Sequence, residues 1–222
     1  MTLGQLGERL RLQRKRLGKS LKDVAEASGL SVGFISQIER NLAVPSLSSL
    51  ATVAEALQIS IGELTGHPGP VAGRPDTRHD QRKAFSLPAG QVRYERLSSV
   101  FPHSTLHSVK FTMPEGYRSE TVSHHGEEFV YVLKGRILYR VADKAYPLGE
   151  GDSLHFDAGL PHSIEALPGL PGSAPFAQVI WAGTLDIFDG GAGHTGHAAD
   201  APALSGTEFH GMASQGDVAM SS

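Results

Sequence analysis

The chain contains no cysteine. This absence excludes disulfides and thiolate metal sites, and it agrees with a reducing compartment. The sequence also lacks a signal peptide and any apolar run long enough to cross a membrane, so we expect a soluble cytoplasmic protein. A strong excess of either charge is lacking too, because the net charge is only −3 at pH 7. Overall charge therefore does not indicate a nucleic-acid partner, and the distribution of charge has to be considered.

Positive charge is concentrated near the amino terminus. Basic side chains crowd the first predicted helix and the turn after it, whereas the segments beyond residue 84 are net acidic. Such a cluster is well placed to contact DNA phosphates. Its members are Arg11, Arg14, Lys15, Arg16, Lys19 and Lys22.

The sequence predicts two domains of different class, one α and one all-β. With 222 residues and 40% hydrophobic content, the chain can form two small cores. Residues 1–64 show helical periodicity, and residues 85–188 show alternation. Residues 65–84 are rich in proline, glycine and charge, which indicates a linker. Residues 189–222 have few large apolar side chains, and we expect a disordered tail.

The stretch Ser20–Asn41 predicts two short helices joined by a tight turn. Ser20 is a good N-cap, Gly29 can take the left-handed conformation that ends a helix, and Ser31 can cap the next one. The connection is then only about three residues long, which is helix-turn-helix geometry. Ala25 is small enough to let the helices cross closely. Further helices are predicted at Leu3–Leu17, Ser46–Leu57 and Ser60–Leu64.

From about Leu6 to Leu64, this pattern resembles the phage-repressor (Cro/C1, or XRE) DNA-binding family. The resemblance implies a five-helix domain whose second motif helix, Ser31 to about Asn41, lies in the major groove. Gln37 would be the main base reader, because its amide can pair bidentately with adenine. The family likeness also implies a structural ion pair between Arg14 and Glu39. The residues expected at the DNA are Val32, Gly33, Ser36, Gln37, Arg40 and Lys22.

From Phe85 onward the pattern is typical of strands separated by proline and glycine. It indicates a compact antiparallel barrel or double sheet. Candidates for the lining of its cavity are Arg93, Tyr94, Arg118 and Tyr139. The predicted strands are Val92–Ser99, Leu106–Met113, Glu128–Leu133, Arg136–Ala142, Ser153–Phe156, His162–Ala166 and Phe176–Ala182.

Two segments of this domain, residues 116–135 and 151–164, resemble the two sequence signatures of the cupin family. The resemblance implies a double-stranded β-helix, or jelly-roll, over roughly residues 105–183. Two positions depart from the family pattern, because Val122 replaces its first histidine and Asp157 its usual proline. The residues that fit are His124, Glu128, Gly135, Gly151, Gly159 and His162.

Because Val122 cannot bind a metal, the cupin resemblance implies a metal site with three side chains. They are the imidazoles of His124 and His162 and the carboxylate of Glu128. This donor set can hold Fe(II), Mn(II), Zn(II) or Ni(II) with open positions. His125 or His155 could replace the missing histidine if either faced the cavity. Alternatively, the three side chains form a hydrogen-bonded cluster that recognises an organic ligand directly, because burying a lone carboxylate is costly.

A repressor-like domain followed by one cupin barrel resembles a family of bacterial transcription regulators. The resemblance implies a homodimer without catalytic residues, which binds a DNA operator and a small-molecule effector. The alternative is an Fe(II)-dependent oxygenase resembling hydroxypropylphosphonate epoxidase, which joins the same two domains. In that enzyme a lysine of the helical domain enters the cavity, whereas this chain has Gly18 there, between Lys15 and Lys19. The basic cluster and Gln37 favour the regulator.

Overall fold

The computed structural model describes residues 3–65, 74–99, 101, 103–169 and 175–188. The predicted tail, residues 189–222, lies outside the described residues. In the described part, no helix is both long and apolar enough to cross a membrane. The helices are α1 (Leu3–Arg16), α2 (Leu21–Ser28), α3 (Val32–Glu39), α4 (Leu47–Ala56) and α5 (Ile61–Thr65). The strands are β1 (Ala84–Phe85), β2 (Arg93–Arg96), β3 (His107–Pro114), β4 (Glu127–Lys134), β5 (Ile137–Val141), β6 (Lys144–Leu148), β7 (Ser153–Asp157), β8 (His162–Ala166) and β9 (Phe176–Gly183).

The predicted helix-turn-helix is formed by α2 and α3. Ser20 and Asp23 make a capping box at the start of α2, and Gly29 ends that helix with φ of 69°. The Ser31 hydroxyl accepts a hydrogen bond from the backbone N–H of Phe34 and so begins α3. Local sequence therefore sets both helix ends and the turn between them. The buried residues that hold the two helices together include Val24, Ala25, Ile35 and Ile38.

Helix α1 is tied to α3 at two points. Gly7 approaches the end of α3 so closely that a Cβ atom would clash with the carbonyl oxygen of Ile38, and its N–H donates to the side chain of Asn41. Arg14 makes a bidentate pair with Glu39, with N–O distances of 2.6 and 2.8 Å. The side chains of this pair are 13% and 7% exposed. These contacts fix the orientation of α3 in the bundle.

The strands form two antiparallel sheets. The larger has the order β1-β2-β3-β9-β4-β7, and the smaller has the order β6-β5-β8. Alternate residues of β3, β4, β5 and β9 are buried, as expected of sheets with one face in a core. In β4 this alternation buries Glu128 together with Val130 and Val132. The predicted jelly-roll architecture is confirmed.

Two strands were not predicted from sequence. Strand β6 lies at the edge of the smaller sheet, where its residues are exposed or half-buried and Pro147 is tolerated. It therefore lacks the apolar alternation that marks the other strands. Strand β1 has only two residues, and its Ala84 falls at the end of the predicted linker. Strand β2 is shorter than its predicted range and begins at Arg93.

The described part of the predicted linker, residues 74–83, lies against the β domain. The Thr77 hydroxyl donates to the carbonyl of Leu97, and the Arg82 guanidinium lies 4.0 Å from the Glu95 carboxylate. Within this part, polar contacts rather than apolar burial hold the connection in place. Composition alone does not reveal such contacts.

The two domains pack directly on each other, and their buried apolar residues form one continuous cluster. Helix α4 lies at the contact. Every residue of α4 is buried except Ser48 and Glu55. A helix that is covered all round has neighbours on opposite faces. Here those neighbours are the helical core on one side and the β domain on the other.

We expect the substitution Glu39→Gln to destabilise the helical domain. It removes the negative partner and leaves the Arg14 guanidinium half-paired in a mostly buried position, at a cost of about 2–3 kcal/mol. Urea unfolding followed by circular dichroism measures this free energy. The matched control is Glu26→Gln on the exposed face of α2, which should be nearly neutral. Equal stability of the two variants would contradict a structural role for the pair.

Candidate nucleic-acid interface and metal centre

The outer face of α3 is uncovered, even with the β domain in place. Val32, Gly33, Gln37 and Arg40 are exposed, and Ser36 is half-buried. A Cβ atom on Gly33 would approach only the Ser31 hydroxyl, at 4.0 Å. The opposite face of the helix is anchored in the core through Ile35 and Ile38. The helix thus presents a polar surface that nothing in the described protomer occupies.

The basic cluster of the sequence divides into two groups. Arg14 is engaged with Glu39, and the Lys19 ammonium donates to the carbonyl of Ala56 at the end of α4. These two side chains hold the bundle together. The other four members are exposed and can meet an anionic partner: Arg11, Lys15, Arg16 and Lys22.

A second site lies inside the β domain, where three side chains converge. Glu128 comes from β4, His124 from the segment just before it, and His162 from the start of β8. One donor atom from each lies within 4.8 Å of the others, and the three side chains are almost completely buried. The Nε2 atom of His124 is 3.0 Å from Oε1 of Glu128, and that of His162 is 3.5 Å from the same oxygen.

The backbone sets the proton positions on both imidazoles. Nδ1 of His124 lies 3.1 Å from the carbonyl oxygen of His125, and Nδ1 of His162 lies 2.8 Å from that of Leu160. A carbonyl oxygen only accepts, so each Nδ1 carries a hydrogen and each Nε2 points towards Glu128. Neutral imidazoles would then direct lone pairs at a carboxylate. A divalent cation between them fits this arrangement, since histidine ligands commonly donate their other nitrogen in this way. A proton on His124 is the alternative.

Electrostatics in the cluster favour a charged Glu128. Burial raises the pKa of this carboxyl, but the contacts with His124 and His162 outweigh burial and lower the pKa to about 2. Burial lowers the pKa of His124, and the hydrogen bond to Glu128 more than reverses that effect, so its pKa is raised. Burial and the nearby Glu128 charge both raise the pKa of Tyr139, which keeps its proton and donates to Oε2 at 2.8 Å.

The position of the missing cupin histidine is filled by Val122. Its side chain is buried in the cavity wall, and its backbone exchanges hydrogen bonds with that of His162. Neither candidate replacement joins the cluster, because His125 is exposed and His155 lies on the outer face of β7 against Glu127. The possible metal ligands in the described part are therefore two imidazoles and one carboxylate.

A small cavity adjoins the three-residue cluster, with His162 in its wall. Of the four lining candidates from sequence, Tyr94 and Tyr139 line it, whereas Arg93 is exposed beside Glu95, and Arg118 pairs with Glu165 at the surface. Burial raises the pKa of Tyr94 well above its ordinary value and that of Tyr117 to about 12, so both phenols stay protonated.

The sequence did not indicate several contributors to the cavity wall, among them Tyr117, Trp181 and the start of α4. Only the alternation of β9 hinted that Trp181 faces inward.

Comparisons with known proteins agree with this architecture. Residues 10–64 match the family model HTH_3 (helix-turn-helix), and residues 109–170 match Cupin_2 (cupin domain). The HTH-type transcriptional regulator PuuR of Escherichia coli (strain K12) is 29% identical over 183 residues, which cover 82% of this chain and 96% of that protein. SutR of the same organism is 26% identical over 162 residues, covering 71% of this chain and 84% of SutR.

The same architecture occurs in a solved structure. The crystal structure of an HTH_3 family transcriptional regulator from Vibrio cholerae superposes with a TM-score of 0.53 at 20% identity, covering 83% of this chain and 97% of that chain. This likeness supports the fold alone. The relatives by sequence are regulators, which favours the regulator over the oxygenase alternative. The chain therefore joins an HTH_3 helix-turn-helix domain to a Cupin_2 domain, and over most of its length it is similar to HTH-type transcriptional regulators.

Proposed function

We propose that this regulator binds a specific DNA operator through α3 and changes its DNA affinity when a small metabolite binds in the barrel. The observation that carries the proposal is the uncovered face of α3, whose core side is fixed by Ile35, Ile38 and the Arg14–Glu39 pair. A rigid helix with a free polar face and capped amino terminus suits major-groove entry.

The exposed residues of α3 would have different roles at the DNA. Gln37 offers an amide that can pair with adenine N6 and N7. Val32 and Gly33 would permit close approach and apolar contact, with Ser36 beside them. Arg40, at the end of the helix, would contact a phosphate, as would Lys22 from α2.

The three-residue cluster of the barrel would hold a divalent ion. His124 and His162 supply Nε2 atoms whose orientation is fixed by backbone carbonyls, and Glu128 supplies Oε1 while Tyr139 occupies its other oxygen. Such an ion, Fe(II), Mn(II), Zn(II) or Ni(II), would offer open positions to an oxygen atom of the effector. Without an ion, the same residues would bind the effector by hydrogen bonds.

Strand β4 supports the proposal of a homodimer. Its outward side chains Phe129, Tyr131 and Leu133 are 37–40% exposed. Ala182 and Ile180 of β9 stand opposite Phe129 and Tyr131, so the patch continues across two strands. An apolar patch of this kind on a sheet face suits a second copy of the chain. A dimer would place two α3 helices about one DNA turn apart, roughly 34 Å, and the effector would alter that spacing.

Substitutions in α3 separate base reading from phosphate contact. Gln37→Ala should relax sequence preference at one base position, at a cost of about 1–3 kcal/mol for the preferred sequence. Arg40→Ala should weaken binding to all sequences alike. It should also reduce the slope of log affinity against log salt concentration by about one, the value expected for the loss of one phosphate contact. Fluorescence anisotropy with DNA from the gene's own promoter region, titrated with salt, measures both. Lys144→Ala, an exposed change on β6, is the control. Identical behaviour of the first two variants would refute this docking.

Metal binding should raise the thermal stability of the protein. A ligand at about 100 times its Kd adds roughly 2.7 kcal/mol to the free energy of unfolding. Calorimetry with each of the four ions should show this rise in the natural chain and its loss in Glu128→Gln. Glu127→Gln is the matched control, because the neighbouring carboxylate lies on the outer face of β4 and should leave the rise intact. No stabilisation of the natural chain by any ion would favour the hydrogen-bonded cluster instead.

Dimerisation should depend on the outer face of β4. Tyr131→Glu places a charge in the centre of the apolar patch, where desolvation would oppose association. Size exclusion with light scattering should give a dimer for the natural chain at micromolar concentration and a monomer for the variant. Leu160→Glu, at an exposed leucine just before β8, should remain dimeric. A natural chain that is monomeric at this concentration would rule out the homodimer.

A further inference from the structure

Helix α4 belongs to both domains. Val53 lies with Leu10, Ile35 and Ile38 around the interior of the helical bundle. At the other end, Ser46, Leu47 and Ser48 line the cavity of the barrel. The start of α4 therefore forms part of the cavity wall, while the rest of the helix is built into the domain that carries α3.

Glu120 joins the two domains at this wall. Its Oε2 atom accepts hydrogen bonds from the backbone N–H of Ser46, at 3.0 Å, and from the hydroxyl of Ser49, at 2.8 Å. A carboxylate beside a helix amino terminus also interacts favourably with the helix dipole. The backbone around Glu120 is held by β8, because Ser119 and Val122 donate to Ile164 and His162. The contact thus links α4 to a rigid part of the barrel.

With α4 in place, an arrangement called closed below, the cavity is too small for a metabolite. Its free volume is about 20 Å³, enough for one or two water molecules. Yet Trp181 lines it, and the buried indole nitrogen of this residue lacks a hydrogen-bond partner among the described residues. An unpaired buried donor is costly unless something satisfies it. The wall also carries Tyr94, Tyr117 and Ser119, so it is polar enough to receive a ligand with hydrogen-bonding atoms, but the closed arrangement leaves no space for one.

An open groove lies just outside the closed cavity. It has a free volume of about 210 Å³ and is bordered by Pro45, Tyr94, Tyr117 and Glu120. The two tyrosines also line the cavity, so they stand between groove and cavity. The Tyr94 hydroxyl contacts Tyr117 and the backbone of Leu47. Withdrawal of α4 would remove the contact with Leu47 and would take Ser46, Leu47 and Ser48 out of the cavity wall, which opens the cavity on that side.

We propose that α4 is a movable wall of the effector cavity and that Glu120 holds it closed. The inference rests on the proposed function, in which a metabolite enters the barrel. Because the closed wall leaves no room, metabolite binding and the closed arrangement exclude each other. Because α4 is part of the helical core, its withdrawal moves α3 relative to the barrel. Effector binding would in this way change the position of the DNA-reading helix.

Thiol labelling tests the movable wall without knowledge of the effector. The natural chain has no cysteine, so Val122→Cys introduces a single thiol that is buried in the cavity wall. Its reaction with iodoacetamide reports the population of open molecules. Adding Glu120→Ala to this variant should raise the labelling rate about tenfold, because it removes a charge-assisted contact that favours the closed state. The matched control is Glu115→Ala, an exposed glutamate just after β3, which should leave the rate unchanged.

Two further measurements make the outcome decisive. Urea unfolding should show that Glu120→Ala leaves the β domain folded; if this variant does not fold, Ser49→Ala replaces it, with the same direction of change. Acrylamide quenching of Trp181, the sole tryptophan, should increase in step with labelling. Equal labelling rates with and without the Glu120 carboxylate would overturn the movable wall. That result would not contradict the proposed binding of DNA through α3. Faster labelling in a protein that binds no DNA would instead support the movable wall and reject the proposed function.

Discussion

The two-sided burial of α4 is the constraint on which the arrangement of this protein depends. A helix needs only one apolar face to pack in a small bundle, and its other face normally meets water. Here the second face is small and weakly polar, and it is covered by the β domain. The two domains consequently share one continuous apolar core. A change in the barrel can therefore reach the helical bundle that holds α3 through this contact.

The barrel interior is organised around a buried charge. Glu128 lies on the inward side of β4, where the alternation of the strand would otherwise place an apolar residue. Isolated, this carboxylate would be very unfavourable. His124, His162 and Tyr139 surround it, and the contacts with the two histidines outweigh burial and hold its pKa low. The same neighbours that make the charge tolerable also form a set of donors suited to a cation, so stability and ligand chemistry use the same residues.

Several elements were predictable because their determinants are local. Ser20, Gly29 and Ser31 define the ends of α2 and α3 through capping and a left-handed turn. Strand β8 has the predicted bounds, His162–Ala166. Strand β6 was missed since an edge strand does not need an alternating apolar pattern. The predicted linker was expected to make no contacts, but Thr77 and Arg82 contact Leu97 and Glu95 of the β domain. These partners are 13 to 20 residues further along the chain, so local sequence does not reveal them.

The sequence by itself determined the class of the two domains, the free face of α3 and the identity of His124, Glu128 and His162 as a converging set. Those features follow from periodicity, capping residues and family motifs, which act over short stretches or recur in known folds. Only the tertiary structure decided that His155 faces outward, that Lys19 binds a carbonyl of the bundle rather than DNA, and that Glu120 meets α4. Such contacts join residues far apart in the chain, and their geometry arises from the packing of whole domains.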